Sequence, residues 1–324
     1  MGSPAGAQRR NPPGMIYLFR LTARDFILPR MKALFVHAHY DDYEFTAAGT
    51  FELLRQAWGE KFHARVLVCT DGKAGHHVRT REETGRVRCA EQDAAARAGG
   101  FEWALLRLPD GQVPREACLQ LTPALLAALW KAIRDFEPDY LFCPPLPADP
   151  LAGVHNDHLT IAESIRRVAY MINVPHAFTP EYPADESQSK LCKVPVILHV
   201  YDGYMLGANS HDLEVDVETV FPKIRAMTWC HQSQVTEWLP WVGRHSMEVP
   251  RSAEDWAKTL RARFDRKNRE LGMATTHAME VFTLSAWGVV PALDQLLSDL
   301  PVFSSESSGL ERLKTRLAAW GAHG

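Results

Sequence analysis

The sequence predicts an α/β protein: a Rossmann-like, mostly parallel sheet flanked by helices, with a helical extension at the C-terminus. Three observations predict it. Short apolar runs alternate with helix-like segments, the pattern of parallel βα units. The first strong run, Met31 to Val36, ends in the polar cluster His37-Ala38-His39-Tyr40-Asp41-Asp42-Tyr43-Glu44. The last stretch, Gly309 to Trp320, has the apolar spacing of an amphipathic helix.

Taken in order, strands are expected at Lys32–Ala38, Arg65–Thr70, Trp103–Leu108, Asp139–Pro144, Val194–Tyr201 and Leu213–Val217. Helices are expected between them, at 46–58, 79–98, 117–135, 157–171 and 219–237. The segment 79–98 is rich in Arg, Glu and Ala and stops at Gly99-Gly100. Residues 174–193 hold three prolines and read as a long surface loop. A later helix runs from Ala253 to Leu271, with Ser252 as N-cap and Gly272 as stop; Trp256, Leu260 and Phe264 give it one face to bury. The expected domain plan is a tail over 1–30, a catalytic domain over 31–288 and a helical tail over 289–324.

Composition narrows the class of protein. The chain has 324 residues, 46% hydrophobic and 23% charged, with a net charge of -3. Nothing in that balance calls for nucleic acid or an anionic membrane surface. No segment is long and apolar enough to span a bilayer, and Met15 to Leu28, broken by Arg20, Arg24 and Asp25, is a poor signal peptide. The 6 cysteines form no CxxC pair and several fall in apolar runs, as buried thiols of a reducing compartment do. A cytoplasmic protein is expected. No GxGxxG follows a strand and no GxxxxGK[ST] occurs, which removes the dinucleotide and P-loop readings.

A strand-to-helix turn needs one capping residue, so two imidazoles and three carboxylates at 37–44 ask for a chemical role. A second cluster, His155-Asn156-Asp157-His158, follows the strand 139–144 and opens the next helix. In a parallel sheet both lie at the carboxyl edge and can converge at a topological switch point. Catalytic zinc takes three His or carboxylate ligands and keeps a position for water. His39 and Asp42, three residues apart, with a His of the second cluster, fill that set and leave Asp41 beside it. The same ligand types also suit ferrous iron. His37 sits on the strand and is expected to pack or to support a ligand.

These residues resemble the signatures of a known family. Ala38-His39-Tyr40-Asp41-Asp42-Tyr43-Glu44-Phe45, running to Ala48-Gly49-Thr50, resembles the AHPDDxE…GGT motif of the PIG-L/LmbE-like zinc-dependent N-acetylglucosaminyl deacetylases, and His155-Asn156-Asp157-His158 resembles their HPDH motif. Looser matches follow in order: Arg88-x-x-Glu91 with Ala94-Ala95 and Gly99, Leu108-Pro109-Asp110-Gly111, Pro138-Asp139, Asp216 with Lys223, Ala226 and His231-Gln232-Ser233-Gln234, and Met279-Glu280-Val281-Phe282. Tyr40 and Asn156 stand where the family has Pro, at positions that supply no ligand.

The resemblance implies an LmbE-like fold, with His39, Asp42 and His158 as metal ligands, Asp41 as general base, and His155 as a protonated partner for the oxyanion, oriented by Asp157. Arg88 and Asp110 resemble substrate-contacting positions. Without the resemblance, Arg88 reads as a partner of Glu91 and Asp110-Gly111 as a turn. His231 reads as a brace, and His76 and His77 as a mobile polar loop. Tyr40, Tyr43, Trp238 and Trp241 suit sugar stacking, a core or an interface. The implied activity is metal-dependent removal of an N-acyl group, acetyl first, from an amino sugar or glycoconjugate. The alternatives are an amidase acting on a thiol-conjugated glycoside or another N-acyl small molecule, and a carbohydrate-binding pseudoenzyme. Family members often form oligomers, so a homo-oligomer is expected, its number unfixed.

Overall fold

The computed structural model describes residues 30–185, 190–243 and 246–321. The expected N-terminal tail thus lies, but for Arg30, outside the described residues. The chain runs β1 (Met31–His37), α1 (Asp42–Thr46), α2 (Ala48–Trp58), β2 (Phe62–Val68), α3 (Arg81–Gly99), β3 (Glu102–Leu105), α4 (Pro123–Phe136), β4 (Tyr140–Cys143) and α5 (Asn156–Met171). It continues through β5 (Val196–Val200), β6 (Leu213–Asp216), α6 (Phe221–Trp229), a π-helical turn (Ser233–Trp238), α7 (Leu239–Gly243), α8 (Ala253–Glu270), β7 (Met279–Ser285), α9 (Leu293–Asp299) and α10 (Leu310–Gly321).

The seven strands form one sheet in the order β3-β2-β1-β4-β5-β7-β6. β1 through β5 are parallel, and β7 runs antiparallel to both β5 and β6. The chain winds outwards from β1 in both directions, so the switch point lies between β1 and β4. Ala33, Leu34 and Phe35 pair there with Tyr140, Leu141 and Phe142. Alternation along β1 sends Ala33 and Phe35 to one core, under α2, α6 and α8, and Leu34 and Val36 to the other, under α4 and α5. Leu296, Leu300, Leu310 and Leu313 of the C-terminal segment join the first core.

Local chemistry sets the helix ends. Thr80 and Glu83 form a capping box on α3, and Gly100 closes it at φ +71°. Ser252 caps α8, whose Trp256, Leu260 and Phe264 are all buried as their spacing predicts. Three expectations change. The helix at 46–58 is two helices meeting at Ala47, because the buried Glu280 carboxylate accepts the Gly49 and Thr50 N–H groups at 2.9 and 2.7 Å and gives α2 its own N-terminus. The helix expected from 117 starts at Pro123, since Ala117 has φ +65° and Thr122 is the cap. The segment 219–237 divides into a short turn, α6 and the π-helical turn. β7 was hidden in the sequence because the buried Glu280 interrupts its apolar pattern.

Candidate metal centre

The loop leaving β1 and the N-terminus of α5 meet at the switch point. His39 Nδ1 stands 3.2 Å from His158 Nε2 and 3.4 Å from Asp42 Oδ2, while His158 Nε2 is 3.5 Å from Asp42 Oδ1. Zinc holds imidazole nitrogen and carboxylate oxygen at ~2.0–2.2 Å in a tetrahedron, which sets neighbouring ligand atoms about 3.3–3.5 Å apart. The three expected ligands lie at distances of that order, His39 from one Asp42 oxygen and His158 from the other. Two overlapping groups are also close enough to hold a metal: His39, His155 and His158, and His37, Asp42 and His158.

The far side of each ligand is braced, as metal ligands require. Asp157 Oδ2 meets His39 Nε2 at 3.2 Å, Asp202 Oδ2 meets His158 Nδ1 at 3.0 Å, and His37 Nδ1 meets Asp42 Oδ2 at 2.5 Å. His37 is thus a support. Asp157 braces His39 through Oδ2 instead of orienting His155 as expected. Its remaining contacts, from Ala117 N–H (2.6 Å), Leu119 N–H (3.2 Å) and the Asn156 amide (3.0 Å), fix it on all sides.

Electrostatics make the pocket ask for positive charge. Burial presses His39 and His158 towards neutrality, but Asp42 and the bracing carboxylates outweigh it and lift them to about 10 and about 9. Burial alone would raise Asp42, yet His37, His158 and His39 hold it well below the usual range. In the same way hydrogen bonds from His39 and Ala117 bring Asp157 down to about 2 against its burial. His155 goes the other way: burial, then His39 and His158, push it down to about 4. Its surroundings thus favour the neutral form. Its Nδ1 accepts the Asp157 N–H at 3.3 Å, so its own proton sits on Nε2.

Asp41 is held by Arg88, whose Nη2 donates to Oδ1 at 2.7 Å. Arg88 does not pair with Glu91, which accepts from Ser233 instead. Its second partner is Glu116 at 2.9 Å, a buried carboxylate that the sequence reading missed because nothing local marks it. Asp110 is exposed, and its Oδ1 accepts the Gln112 N–H at 2.9 Å, which makes it a turn residue in this structure. His231 is fully buried, 3.3 Å from Glu44, and braces the interior.

The aromatic expectations resolve differently. Tyr40 and Tyr43 are core residues, packed on Trp103 and on Phe35 and Phe51. Trp241 stacks on His77 (4.8 Å) and on Trp238 (5.2 Å) and remains 45% exposed. His76 is pinned by Glu237 at 2.9 Å, so the loop expected to be mobile is tethered. The aromatic ring that does meet the cluster is Tyr204, 5.1 Å from His155 and 5.5 Å from His158, with more than half its surface exposed. It follows β5, far in sequence from both motifs, and no motif pointed to it.

The fold and site together define a Rossmann-like protein with a candidate metal centre at its switch point. Residues 34–169 match the PIG-L family model, described as GlcNAc-PI de-N-acetylase, and the chain carries a PIG-L/LmbE-like domain. No curated protein sequence matches significantly. Among solved structures, N,N'-diacetylchitobiose deacetylase from Pyrococcus horikoshii is similar with a TM-score of 0.59 and 19% identity, over 79% of this chain and 84% of that one. GalB, the 4-carboxy-2-hydroxymuconate hydratase from Pseudomonas putida, gives 0.53 and 17% over 81% and 98%. The conserved protein TT1542 from Thermus thermophilus gives 0.53 and 18% over 78% and 94%. At these identities the likeness is one of fold. Among the described residues no helix is long and apolar enough to cross a membrane.

Proposed function

We propose that this chain is a metal-dependent N-deacetylase that acts on an N-acetyl amino sugar or a glycoconjugate carrying one, in the cytoplasm. The single observation that carries the reading is the triad His39, Asp42 and His158, with metal-sized spacing and a buried partner behind each member. The PIG-L match and the fold shared with a chitobiose deacetylase support the chemistry. Zinc is the metal proposed first, ferrous iron second.

In this reading His39 Nδ1, His158 Nε2 and the Asp42 carboxylate hold the cation. When bound, it would supply a Lewis acid that acidifies water and polarises the acyl oxygen. Asp41 takes a proton from the attacking water onto its carboxylate, and Arg88 holds that carboxylate in place. His155 Nε2–H donates to the developing oxyanion as a neutral donor. Asp41 then returns its proton to the amine nitrogen, which cannot leave as an anion. Tyr204 flanks His155 and offers the sugar a ring face. Asp110, exposed in its turn, contacts substrate in this proposal only at the outer rim.

A deacetylase and a hydratase share this fold, so fold alone leaves the reaction open. The deciding experiment measures primary-amine release by the zinc-loaded protein across N-acetyl amino sugars and glycosides, thiol-linked ones included. Asp41→Asn and a chelator-treated sample serve as blanks. Release that needs both Asp41 and metal supports the reading. Silence across the panel with metal bound stoichiometrically overturns it in favour of another water-activating reaction or a binding role.

A further inference from the structure

Helix α3 holds the turn that follows β1 at two points. Arg88 reaches Asp41 at 2.7 Å, and one helical turn further on the Gln92 amide donates to Glu44 Oε1 at 2.9 Å. Positions 88 and 92 share a face of α3, being four residues apart, and Asp41 and Glu44 span the first turn of α1. The two contacts are therefore parallel rungs between the same two elements. A third element backs the second rung. His231, in the link between α6 and the π-helical turn, sets its Nε2 3.3 Å from Glu44 Oε1 without forming a hydrogen bond. Its carbonyl accepts the Gln234 and Val235 N–H groups, both at 2.9 Å, which ties it to the start of the π-helical turn.

The second rung costs stability. Glu44, Gln92 and His231 are fully buried, and Arg88 nearly so. Among the described residues, Glu44 Oε2, Gln92 Oε1, Arg88 Nε and both His231 ring nitrogens have no hydrogen-bond partner. Apolar side chains of the same shape would fill this space without leaving polar groups unpaired. Packing alone thus gives no reason for them, and a core that breaks this rule marks a place where function sets the geometry. The function within reach is that of Asp41. Its carboxylate has Arg88 as its one hydrogen-bond partner among the described residues, so its direction depends on how the turn is held. The metal ligands do not share that dependence. Asp42 is fixed by the His37 ring and the His39 N–H, His39 by Asp157, and His158 by Asp202.

We infer that Gln92, Glu44 and His231 are positioning residues. They form the second rung of a clamp through which α3 stops α1 from turning about its axis, and so they keep the Asp41 carboxylate in one direction. The inference rests on the deacetylase reading, in which Asp41 is the base. It adds that base and metal are positioned by separate sets of side chains, so that one can be disturbed without the other.

The test measures amine release and zinc affinity for the full chain in wild type, Gln92→Met, Gln92→Asn and Glu91→Gln, on the same panel of N-acetyl sugars and glycosides. Gln92→Met keeps the volume of the side chain and removes the rung. It is expected to lower kcat by about tenfold or more, the scale for a misdirected reacting group, with KM within about twofold of wild type. Zinc affinity should not change. Gln92→Asn falls one methylene short of Glu44 and should lose less, and it carries the same test if Gln92→Met does not fold. Glu91→Gln, on the same helix but bonded to Ser233, should keep the wild-type kcat. The decisive comparison repeats Gln92→Met in an Asp41→Asn background. With no base left to direct, the second substitution should cost nothing further. An equal fold-loss in both backgrounds, a loss that follows zinc content, or an unchanged kcat in Gln92→Met overturns the clamp while the deacetylase reading stands. No amine release by wild type from any sugar overturns the deacetylase reading, and with it the base that the clamp would serve.

Discussion

Arg88 Nη2 lies 2.7 Å from Asp41 Oδ1, and the same guanidinium reaches Glu116 Oε1 at 2.9 Å. A buried arginine on α3 therefore ties the proposed base, on the loop after β1, to a carboxylate that itself accepts the Ala74 and Gly75 N–H groups. Three chain segments are fixed by one side chain. Removing it leaves two carboxylates without their cation in a largely dry place.

Arg88→Met is thus expected to destabilise the fold by about 3–5 kcal/mol, the scale for breaking a buried pair from one side. Arg88→Lys should restore part of the stability but little activity, since one ammonium cannot serve both carboxylates in the fork geometry. Urea unfolding read beside turnover separates the two effects.

Asp41→Asn should keep its metal and lose about 10²–10⁴-fold in kcat, the range for a general base. His158→Ala should lose the metal itself. Elemental analysis of the purified variants checks the contrast; near-normal turnover in Asp41→Asn would refute its role as base.

Asp202 acts through His158 Nδ1. Asp202→Asn is expected to weaken metal binding by about 10–100-fold, with turnover recovering as metal is raised. Competition with a chelator of known affinity gives the number. An unchanged affinity would mean that the pair serves folding alone.

His199 supplies a pH prediction away from the triad. It is buried beside Cys143 and the Pro144 carbonyl, to which its Nδ1 donates at 3.0 Å, and burial pushes it down to about 4. The unfolded chain takes that proton near 6.5, so between the two values the unfolded state binds more protons. Its contribution is present above about 6.5 and is lost as pH falls towards 4, roughly 3 kcal/mol at most. Melting temperatures of wild type and His199→Gln from pH 7 to pH 5 should converge on acidification. Parallel curves would show that this imidazole does not couple folding to pH.

Much of the site was legible because its parts are local. His39 and Asp42 share one turn, and His155 and His158 share the first turn of α5, so spacing alone brings their atoms within reach. The strand-helix alternation likewise placed both turns at one sheet edge. Asp157 was visible as a member of its cluster, but its service to His39 needed the packing of α5 against the β1 loop. Glu116, Asp202 and Tyr204 left no signal, since each joins the site from a loop whose sequence carries no period.

By itself the sequence determined the α/β class, the paired clusters and the candidates for a metal-binding set, since period, capping and i,i+3 spacing are properties of neighbours along the chain. Only tertiary structure decided that Arg88 serves Asp41, that Glu280 on β7 caps α2, and that Tyr40 and Tyr43 are core. Those facts depend on which distant segments share a surface. Burial then fixes the meaning of each charge, because a side chain's partners, and not its identity, set the cost of holding it out of water.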